Sequence, residues 1–397
     1  MTTIQDVAAL AGVSVSSVSN VLNGRTDRLS RDTFQRVQDA IRELNYRPNL
    51  VARQLKTGYA PLIGLLVPST ANPMFGELAV HVEAAARDGH GFRVLLGNTH
   101  RDRQQESRTF DDLISLGVRG VILASSRTDE DHLEAAIARG LAVVSYDRGG
   151  DGDTRSRIDH VSPDNMLASR LAVRHLVAHG HQRLALVTPD VKTVSRTLKR
   201  QGFLQAAREA GLAGHAQVLE GATRPGYGDS NLADEGYAMA SRIASMKSRP
   251  TGIIAINDMM ALGLMAGLHR AGLSVPGDVS VVGMDNLVMT AYANPPLTTV
   301  EMPSADMARA MVAMVVERLA QPALPAREVL FQPRLVERQS VAPPPAVAGS
   351  TARSRAAKPP ASGSRASEPR AAGAPAAGTP AAVSPRPRAR SPRKTSA

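Results

Sequence analysis

The first 44 residues contain three apolar patterns at helical spacing, and these patterns constrain the fold more than any other feature of the sequence. Ile4, Val7 and Ala11 recur at intervals of three and four residues, which predicts a first helix with one apolar face. Thr3 is a favourable N-cap for this helix. Gly12 follows the last apolar position, where a glycine readily adopts the left-handed conformation that ends a helix.

A second short helix is predicted directly after this turn. Ser14 can cap it, and Val18, Val21 and Leu22 form its inner face. The outer side carries small or polar side chains, namely Val15, Ser16, Ser19, Asn20 and Asn23. Two short helices joined by a tight turn, the second displaying such groups, are typical of a helix-turn-helix.

A third helix is predicted to support the first two. Ser30 is a good N-cap, and Phe34, Val37 and Ile41 repeat at helical spacing. We expect this helix to end at Arg47-Pro48, because a proline restricts the backbone of the residue before it. The three helices together predict a small all-α head.

Beyond residue 61 the sequence alternates between short apolar runs and longer stretches with helical periodicity. The runs occupy residues 62–67, 92–97, 120–125, 141–146, 183–188, 252–257 and 279–285. Such alternation predicts parallel sheets with helices on both faces. The expected fold class is therefore α/β, with two doubly wound lobes of similar size. We expect residues 298–303 and a helix over 304–320 to return to the first lobe.

Four ordered segments carry a resemblance to a known family. TIQDVA, AGVSVSSVSNVLNG, ELNYRPN and VARQLK resemble, in order and separation, the DNA-binding head of the lactose-repressor (LacI/GalR) family of bacterial transcription regulators. Weaker matches follow at Asn72-Pro73, Pro163-Asp164-Asn165, Gly180-His181, Gly202-Phe203, Asn257-Asp258 and Gly283-Met284-Asp285-Asn286. The resemblance implies two lobes like those of a type I periplasmic binding protein, with a ligand cleft between them.

The resemblance implies a division of the chain into four parts. We expect a helix-turn-helix head at 1–48, a hinge helix and linker at 49–60, a two-lobe effector-binding and dimerisation domain at 61–342, and a basic Ala/Pro/Arg tail at 343–397. The tail cannot bury enough apolar surface to fold, so we expect it to be disordered. The first lobe is expected to comprise about 61–161 and 299–324, and the second 162–298 and 325–342.

The resemblance assigns DNA-reading roles to the outer face of the second helix. Val15, Ser16 and Asn20 occupy the base-reading positions, and Ser19 and Asn23 lie beside them. An asparagine such as Asn20 can pair with an adenine edge in the major groove, whereas a serine is less selective.

Residues 49–56 resemble the hinge helix of the family, which orders when two subunits meet on DNA. Leu55 then corresponds to a wedge that enters the minor groove and bends the duplex. Ala52 lies near it on the same face, and Lys56 can reach the groove floor or a phosphate. The alternative is that Leu55 is an ordinary apolar helix residue.

Effector-binding candidates follow the carboxyl ends of the predicted strands, where open α/β lobes bind ligands. They are Asn72, Met74, Phe75, Ser125, Asp147, Lys199, Asn257, Asp258 and Asp285. A carboxylate such as that of Asp285 can accept hydrogen bonds from two neighbouring hydroxyls, as on a sugar or ribose. Each candidate has a structural alternative as a cap or turn residue, and for Asp258 the helix cap is an equal interpretation.

The sequence departs from the family at the predicted cleft. Lys199 stands where the family usually has arginine, and Arg196 or Arg200 could substitute only if the local register differed. The loop at 221–231 is longer than usual and lacks an aromatic residue at the position where relatives often stack one on the effector.

Charge is concentrated at the two ends of the chain. Residues 1–59 hold eight basic and five acidic side chains, and residues 343–397 hold ten basic and one acidic, so the centre is close to neutral. This distribution suits nucleic acid at the ends. The tail segment 384–394 either contacts phosphates without reading sequence or serves as a solvated, solubilising tail.

The sequence argues against several classes of protein. It has no cysteine, no N-terminal apolar run, no membrane-length stretch and no common catalytic motif, so we predict a cytoplasmic protein that is not an enzyme and uses no cofactor. The His179-Gly-His181 sequence could suggest a metal, but it fits a helix-end turn better, and no metal site is predicted.

These observations predict a repressor that binds a palindromic operator as a homodimer and responds to a small-molecule effector of the sugar or nucleoside/purine type. One alternative is a nonspecific nucleoid-type DNA-binding protein with the lobes as a dimerisation core. Another is a solute-binding protein, which the lobes alone would fit.

The wedge hypothesis makes a direct prediction for the hinge. Leu55→Ala should weaken operator binding and reduce DNA bending, because the side chain that separates the base pairs is lost. Gel-shift measurements on permuted bending probes check both quantities, and an operator affinity and bend equal to those of the parent protein would refute the wedge.

Overall fold

The computed structural model describes residues 2–22, 25, 29–46, 61–125, 127, 131–148, 158–190, 192–221 and 231–345. The predicted hinge at 49–60, most of the loop at 221–231 and all but the start of the basic tail lie outside these residues. None of the helices in the described ranges is both long and apolar enough to span a membrane.

The head consists of three helices, α1 (Ile4–Ala11), α2 (Val15–Leu22) and α3 (Arg31–Glu43). A capping box begins α1, in which the Thr3 hydroxyl accepts from the Asp6 backbone N–H at 3.3 Å and the Asp6 carboxylate accepts from the Thr3 N–H at 2.8 Å. Gly12 ends α1 with a left-handed φ of 61°. The buried apolar faces of the three helices form one core, so the three predicted helices are confirmed.

The end of α3 differs from the prediction. The helix stops at Glu43, and Asn45 adopts a left-handed φ of 43°. The Tyr46 N–H donates to the Ile41 carbonyl at 3.0 Å, which is the closing bond of a Schellman motif. The prediction that Arg47-Pro48 ends the helix was wrong, because an asparagine in the left-handed conformation closes it earlier.

The remaining elements form two α/β lobes. In chain order, the first elements are β1 (Leu62–Val67), α4 (Pro73–His90), β2 (Arg93–Asn98), α5 (Arg103–Ser115), β3 (Gly120–Leu123), α6 (Asp131–Ala138), β4 (Ala142–Tyr146) and β5 (Asp159–Pro163). They are followed by α7 (Asn165–Ala178), β6 (Leu184–Thr188), α8 (Val194–Glu209), a 3-10 turn (Ala213–His215), β7 (Ala216–Glu220), α9 (Leu232–Ala244), β8 (Gly252–Ala255) and α10 (Asp258–Arg270). The last are β9 (Ser280–Asp285), a 3-10 segment (Val288–Tyr292), β10 (Thr298–Glu301), α11 (Ser304–Ala320), β11 (Glu328–Phe331) and β12 (Arg334–Val336).

Each lobe is built around one six-stranded sheet. The strand order is β11-β5-β4-β3-β1-β2 in the first lobe and β12-β10-β9-β8-β6-β7 in the second. Every pairing is parallel except that of β10 with β12. The central strands are buried on both faces because helices cover both sides, which explains their nearly unbroken apolar sequences. The predicted α/β fold with two lobes is confirmed.

The chain crosses between the lobes at other points than predicted. Residues 298–301 pair with β9 and therefore belong to the second sheet, not to the first lobe. Residues 328–331 pair with β5 and belong to the first sheet, although the sequence placed 325–342 in the second lobe. The reason is that a four-residue strand carries too little periodicity to identify its partner, which only the tertiary fold selects.

Strand β5 was missed because its buried side chains are polar. Asp159 is fully buried and accepts two hydrogen bonds from Arg318 of α11, at 2.9 and 3.0 Å. Burial alone would raise the pKa of Asp159, but the hydrogen bonds from Arg318 and Arg327 together outweigh it and hold that pKa below its usual value.

Helices α9 and α10 of the second lobe touch along their backbones. A Cβ atom on Gly263 would lie 1.8 Å from the Ala233 carbonyl oxygen, and one on Gly236 would lie 2.2 Å from the Met260 carbonyl oxygen. Only glycine fits at these two positions, because any side chain would push the helices apart.

This contact predicts a large effect of a small substitution. Gly263→Ala should lower the free energy of unfolding by about 1–3 kcal/mol, because the added methyl group overlaps backbone that cannot move aside cheaply. The matched control is Gly89→Ala in α4, where no atom lies within 4 Å of the added Cβ. The control should be neutral or up to about 1 kcal/mol more stable. Urea unfolding measures both, and equal stability of the two variants would contradict the close contact.

Candidate functional site

The outer face of α2 is the first candidate surface. The Ser14 hydroxyl accepts from the Ser17 N–H at 3.2 Å and caps the helix, while Val18 is fully buried. Val15 is 41% exposed, Ser16 is exposed, and Ser19 and Asn20 are partly exposed. The orientation therefore leaves these four side chains on the surface, whereas Asn23, Ala52, Leu55 and Lys56 lie outside the described residues.

The second candidate site is the cleft where the carboxyl ends of strands from both lobes meet. Seven of the nine predicted effector residues line it, namely Asn72, Met74, Phe75, Asp147, Lys199, Asn257 and Asp285. The other lining residues, of which the sequence considered only Arg196, are Arg101, Tyr146, Pro163, Asn165, Ser195, Arg196, Ile256 and Met302. The strands within each sheet are parallel, so the residues that follow their carboxyl ends gather at one edge of the sheet. Open α/β lobes are expected to bind ligands at that edge.

Ser125 is not among the lining residues. Its hydroxyl donates to Glu106 at 2.5 Å, and Glu106 also contacts the His132 Nε2 atom at 2.6 Å. All three side chains are buried behind the cleft wall. The Ser125 carbonyl accepts from Arg101, so this residue positions a lining residue without contacting the cavity itself.

Asp258 also lies behind the cleft. It is fully buried, accepts from the Thr299 hydroxyl at 2.6 Å and accepts from the Leu287 N–H at 2.8 Å. The helix cap is its neighbour Asn257, so the proposed capping role of Asp258 was wrong. Asp258 instead links the start of α10 to β10 and to the loop after β9.

Asn72 and Asn257 combine two roles at corresponding places in the two lobes. The Asn72 side chain caps α4 by accepting from Met74 at 3.1 Å, and the Asn257 side chain caps α10 by accepting from Met260 at 2.9 Å. Capping uses the oxygen of each amide, which leaves its NH₂ group able to donate. The structural and binding interpretations of these residues are therefore compatible.

Asp147 and Asp285 follow β4 and β9, one in each lobe. Both have left-handed backbones, with φ of 62° and 122°. Such strained conformations in non-glycine residues concentrate at functional sites. Asp147 accepts from the Asn165 side-chain amide at 2.9 Å, while the buried Asn165 Oδ1 and Asp285 Oδ2 atoms have no hydrogen-bond donor among the described residues.

Burial raises the pKa of Asp285 well above its usual value. Lys199 opposes this shift, whereas the nearby carboxylates of Asp258 and Asp147 add to it. Burial also raises the pKa of the Tyr146 hydroxyl, and Asp147 and Asp285 contribute. Both shifts have the same main cause, which is burial, and the neighbouring acidic groups add to it.

Two cationic residues of α8 face the cleft. Lys199 donates to the Ile256 carbonyl at 3.3 Å, and Arg196 lines the cleft one turn earlier. Residues three apart share a helix face, so Arg196 needs no change of register to reach the site. The prediction that it would need one was wrong. Arg200 instead pairs with Glu220, 3.0 Å away on an exposed surface.

The cleft is nearly filled by its own side chains. It encloses a cavity of about 50 Å³, whereas ligand pockets typically measure about 300–1,000 Å³. A larger cavity of about 810 Å³ lies in the first lobe, between the amino ends of β4 and β5 and the end of α11, but its walls are mainly apolar. The convergent donors and acceptors make the inter-lobe cleft the candidate binding site.

Two family models match this chain. Residues 3–49 match the family described as bacterial regulatory proteins, lacI family, and residues 173–341 match a periplasmic binding protein-like domain. The chain is 32% identical to the ribose operon repressor of Escherichia coli K12 over 343 residues, covering 86% of this chain and 100% of the relative. It is 33% identical to the HTH-type transcriptional repressor PurR of Edwardsiella ictaluri, covering 87% and 98%.

Solved structures of regulators from the same family also superpose on this chain. The lac repressor dimer bound to operator and the anti-inducer ONPF superposes with a TM-score of 0.72 at 28% identity, covering 86% of this chain and 99% of that one. A LacI family regulator from Enterococcus faecalis with bound ribose superposes with a TM-score of 0.61 at 29% identity, covering 71% and 99%.

The position of Asp258 predicts a pH-dependent stability. Burial raises the pKa of Asp258 to about 6 from 3.8, so the folded protein holds this proton more tightly than the unfolded chain. Its contribution to stability is therefore complete below about pH 4 and is lost as the pH rises through about 6. Asp258→Asn should flatten this decline in urea unfolding between pH 4 and 7.

The control for this experiment is Asp112→Asn, on the exposed face of α5. It should keep the wild-type slope. Asp285 titrates in the same direction, so the slope in the Asp258 variant should shrink and not vanish. If the free energy of unfolding of Asp258→Asn fell with pH as steeply as that of wild type, the assignment to Asp258 would be contradicted.

Proposed function

The chain belongs to the LacI family of bacterial regulatory proteins, and on that premise we propose that it is a transcription repressor. It binds operator DNA as a homodimer through its helix-turn-helix head and responds to a small molecule in the cleft between its lobes. The observation that carries this proposal is that the similarity to repressors spans the head and both lobes in one chain. The relatives are repressors, and no step of this function requires catalysis, so we infer that the protein is not an enzyme.

The exposed face of α2 supports its assignment as the reading helix. Val15, Ser16 and Asn20 lie outward at its first turns, where a recognition helix contacts base edges. Among these side chains only Asn20 carries an amide that can form two hydrogen bonds with an adenine edge, so we assign it an adenine. We also retain the hinge helix at 49–56 as part of the proposal, with Leu55 as the wedge in the minor groove, Ala52 near it on the same face and Lys56 reaching the groove floor or a phosphate. Because operator DNA lies in the bacterial cytoplasm, we propose that the protein works there.

An exposed apolar segment of the second lobe supports dimerisation. Val288 is 78% exposed and Tyr292 is 85% exposed, and Met289 lies between them in the same 3-10 segment. Contiguous apolar side chains on a surface mark interaction sites. We propose that this segment contacts the second subunit, as part of the two-lobe domain at 61–342.

The unpaired acceptors of the cleft indicate the chemical class of the effector. The buried Asp285 Oδ2 and Asn165 Oδ1 atoms both require hydrogen-bond donors. Neighbouring hydroxyl groups on an effector would supply them. The amides of Asn72 and Asn257 can donate to ring or hydroxyl oxygens in return. Phe75 and Tyr146 are the aromatic residues that line the cleft. We therefore propose a polyhydroxylated effector of the ribose class, in preference to a bare purine base.

The small cavity implies that effector binding requires movement. Pro163, Asn165 and Met302 line the cleft and lie where the chain crosses between lobes. A ligand that widens or fills the cleft therefore acts directly on the crossing segments and biases the angle between lobes. Coupling of this kind is reciprocal, so operator DNA must change effector affinity by the same factor as effector changes operator affinity.

The reading helix yields a prediction for DNA binding. Asn20→Ala should weaken binding to the operator by about 5–150-fold, equivalent to about 1–3 kcal/mol, because a two-bond contact with a base edge is lost. Binding to nonspecific duplex should change little, since phosphate contacts dominate it. Fluorescence anisotropy with both duplexes measures this ratio. The control is Gln35→Ala on the exposed face of α3, and equal losses on both duplexes would contradict base reading by Asn20.

The effector proposal is tested with D-ribose, adenosine and hypoxanthine as probes. D-ribose should raise the melting temperature of the full chain, and Asp285→Asn should weaken its binding by about 10–150-fold, because a hydrogen bond to a charged group contributes about 1.5–3 kcal/mol. The control is Asp278→Asn, whose exposed carboxylate bonds to Ser274. A response to hypoxanthine alone would favour a purine, and no response to any probe would contradict the class.

The raised pKa of Asp285 adds a pH signature to this experiment. Donor hydroxyls favour the ionised carboxylate, so ligand binding should release a proton. D-ribose affinity should therefore rise with pH through the raised pKa and become less pH-dependent in Asp285→Asn. An affinity that falls with rising pH in the wild-type protein would contradict hydrogen bonding to the anion.

A further inference from the structure

A cluster of two histidines and a glutamate lies at the end of α7 farther from the cleft. His175 and His179 occupy the last turns of α7, and Glu337 directly follows β12. One donor atom from each of the three side chains lies within 4.8 Å of the other two. The two imidazole rings are tilted by 58° with centroids 4.5 Å apart.

His175 is buried with an unsatisfied nitrogen. It is 8% exposed, and its Nε2 atom has no hydrogen-bond partner among the described residues. Buried polar atoms are nearly always paired, so an unpaired ring nitrogen on a histidine beside two other possible ligands requires an explanation. A bound cation would provide one.

His179 is already oriented as a metal ligand would be. Its Nδ1 atom lies 2.9 Å from the His175 carbonyl oxygen, and because a carbonyl only accepts, this nitrogen is the donor. The Nε2 atom of the neutral ring then carries a free lone pair. Metal-binding histidines commonly donate their second nitrogen to a backbone carbonyl in this manner, which fixes the tautomer and the ring direction.

Glu337 supplies the negative charge. No cationic side chain within the described ranges forms an ion pair with it. The neighbouring Arg338 is engaged elsewhere, because it donates to the Asn286 side chain at 2.6 Å and to the Leu297 carbonyl at 2.7 Å. The Glu337 carboxylate is exposed and can rotate toward the histidines.

We propose that His175, His179 and Glu337 bind a single divalent transition-metal ion, and Zn²⁺ in preference. Two imidazoles and one carboxylate are a donor set that zinc accepts, with a water molecule as the fourth ligand. Mg²⁺ and Ca²⁺ prefer all-oxygen sites. Tetrahedral zinc requires donor atoms about 3.4 Å apart, given metal–ligand distances of about 2.0–2.2 Å. The three donor atoms lie within 4.8 Å of one another, so the side chains must draw closer when the ion binds.

This site is not formed by His179 and His181, the pair that stands out in the sequence. The His181 Nδ1 atom contacts the Thr251 hydroxyl and its Nε2 atom contacts the Ala342 carbonyl, both at 3.0 Å. Both of its nitrogens are therefore engaged in holding the chain together, which matches the structural interpretation of the sequence. His179 instead combines with His175, one helical turn earlier, because residues four apart share a helix face.

A bound ion would connect α7 to the segment that follows the last strand. His175 lies ten residues after Asn165, so the site is about 15 Å along α7 from the effector cleft. Metal binding would stabilise the second lobe without occupying the cleft. The site is therefore independent of the proposed effector, and its test does not depend on repressor activity.

The experiment is a Zn²⁺ titration of the full-length, untagged protein against a competing fluorescent chelator, with the metal content measured by mass spectrometry. We expect one zinc ion per protomer. Glu337→Gln and His179→Ala should each weaken zinc binding by about 10-fold or more, since even the loss of an outer-shell partner weakens metal sites by about 10–100-fold. The control is His215→Ala, an exposed histidine of the same lobe, which should bind zinc as the wild type does.

A second measurement guards against misfolded variants. The metal-free melting temperature of Glu337→Gln should equal that of wild type, because the side chain is exposed. Zn²⁺ should raise the melting temperature of wild type and of the His215 variant but not that of the two cluster variants, and Mg²⁺ should raise none. Equal zinc affinity in wild type and both cluster variants, or no stoichiometric zinc in wild type, would overturn the proposal.

Discussion

The buried carboxylate of Asp159 is the group on which the arrangement of the two lobes depends. It accepts two hydrogen bonds from Arg318 in α11 and one from the backbone N–H of Arg327, at 2.9 to 3.0 Å. These bonds hold α11 and β11 on the first lobe, although β10 before them and β12 after them pair in the second sheet. Breaking such a pair leaves a buried charge uncompensated, which costs about 3–5 kcal/mol. The late part of the chain can therefore pass between the lobes and remain firmly attached to each.

This exchange of segments determines what the cleft can do. The crossing points bring Pro163 and Met302 into the wall of the site, beside helix N-termini and strand ends from both lobes. Asp147 and Asp285 occupy corresponding positions after β4 and β9, and both have left-handed backbones held by their surroundings. A ligand that satisfies the unpaired oxygens therefore contacts both lobes and the segments between them at once. A change in lobe angle is the consequence that the proposed function requires.

Helix α7 connects the features of the second lobe. It begins at Asn165 in the cleft and ends beside His175 and His179. Its neighbour α8 approaches closely, since a Cβ atom on Gly202 would lie 2.4 Å from the Met166 carbonyl oxygen. Together with the glycine contacts of α9 and α10, this packing makes the second lobe a tightly joined unit. In the proposed mechanism such a unit moves as one body, and a cation at its far end would strengthen it further.

The sequence by itself determined the elements whose signals are local. Caps and helical spacing identified α1 to α3, an unbroken apolar run identified β1, and the rule for strand ends located seven of the fifteen residues that line the cleft, including Asp285. Tertiary structure alone decided the pairing of β11, the existence of β5, the lining role of Asn165 and the meeting of His175 with Glu337. The physical reason is the same in each case. These features depend on partners far apart in the chain, such as Asp159 and Arg318, and neither propensity nor periodicity carries information about a partner that only folding brings within 3 Å.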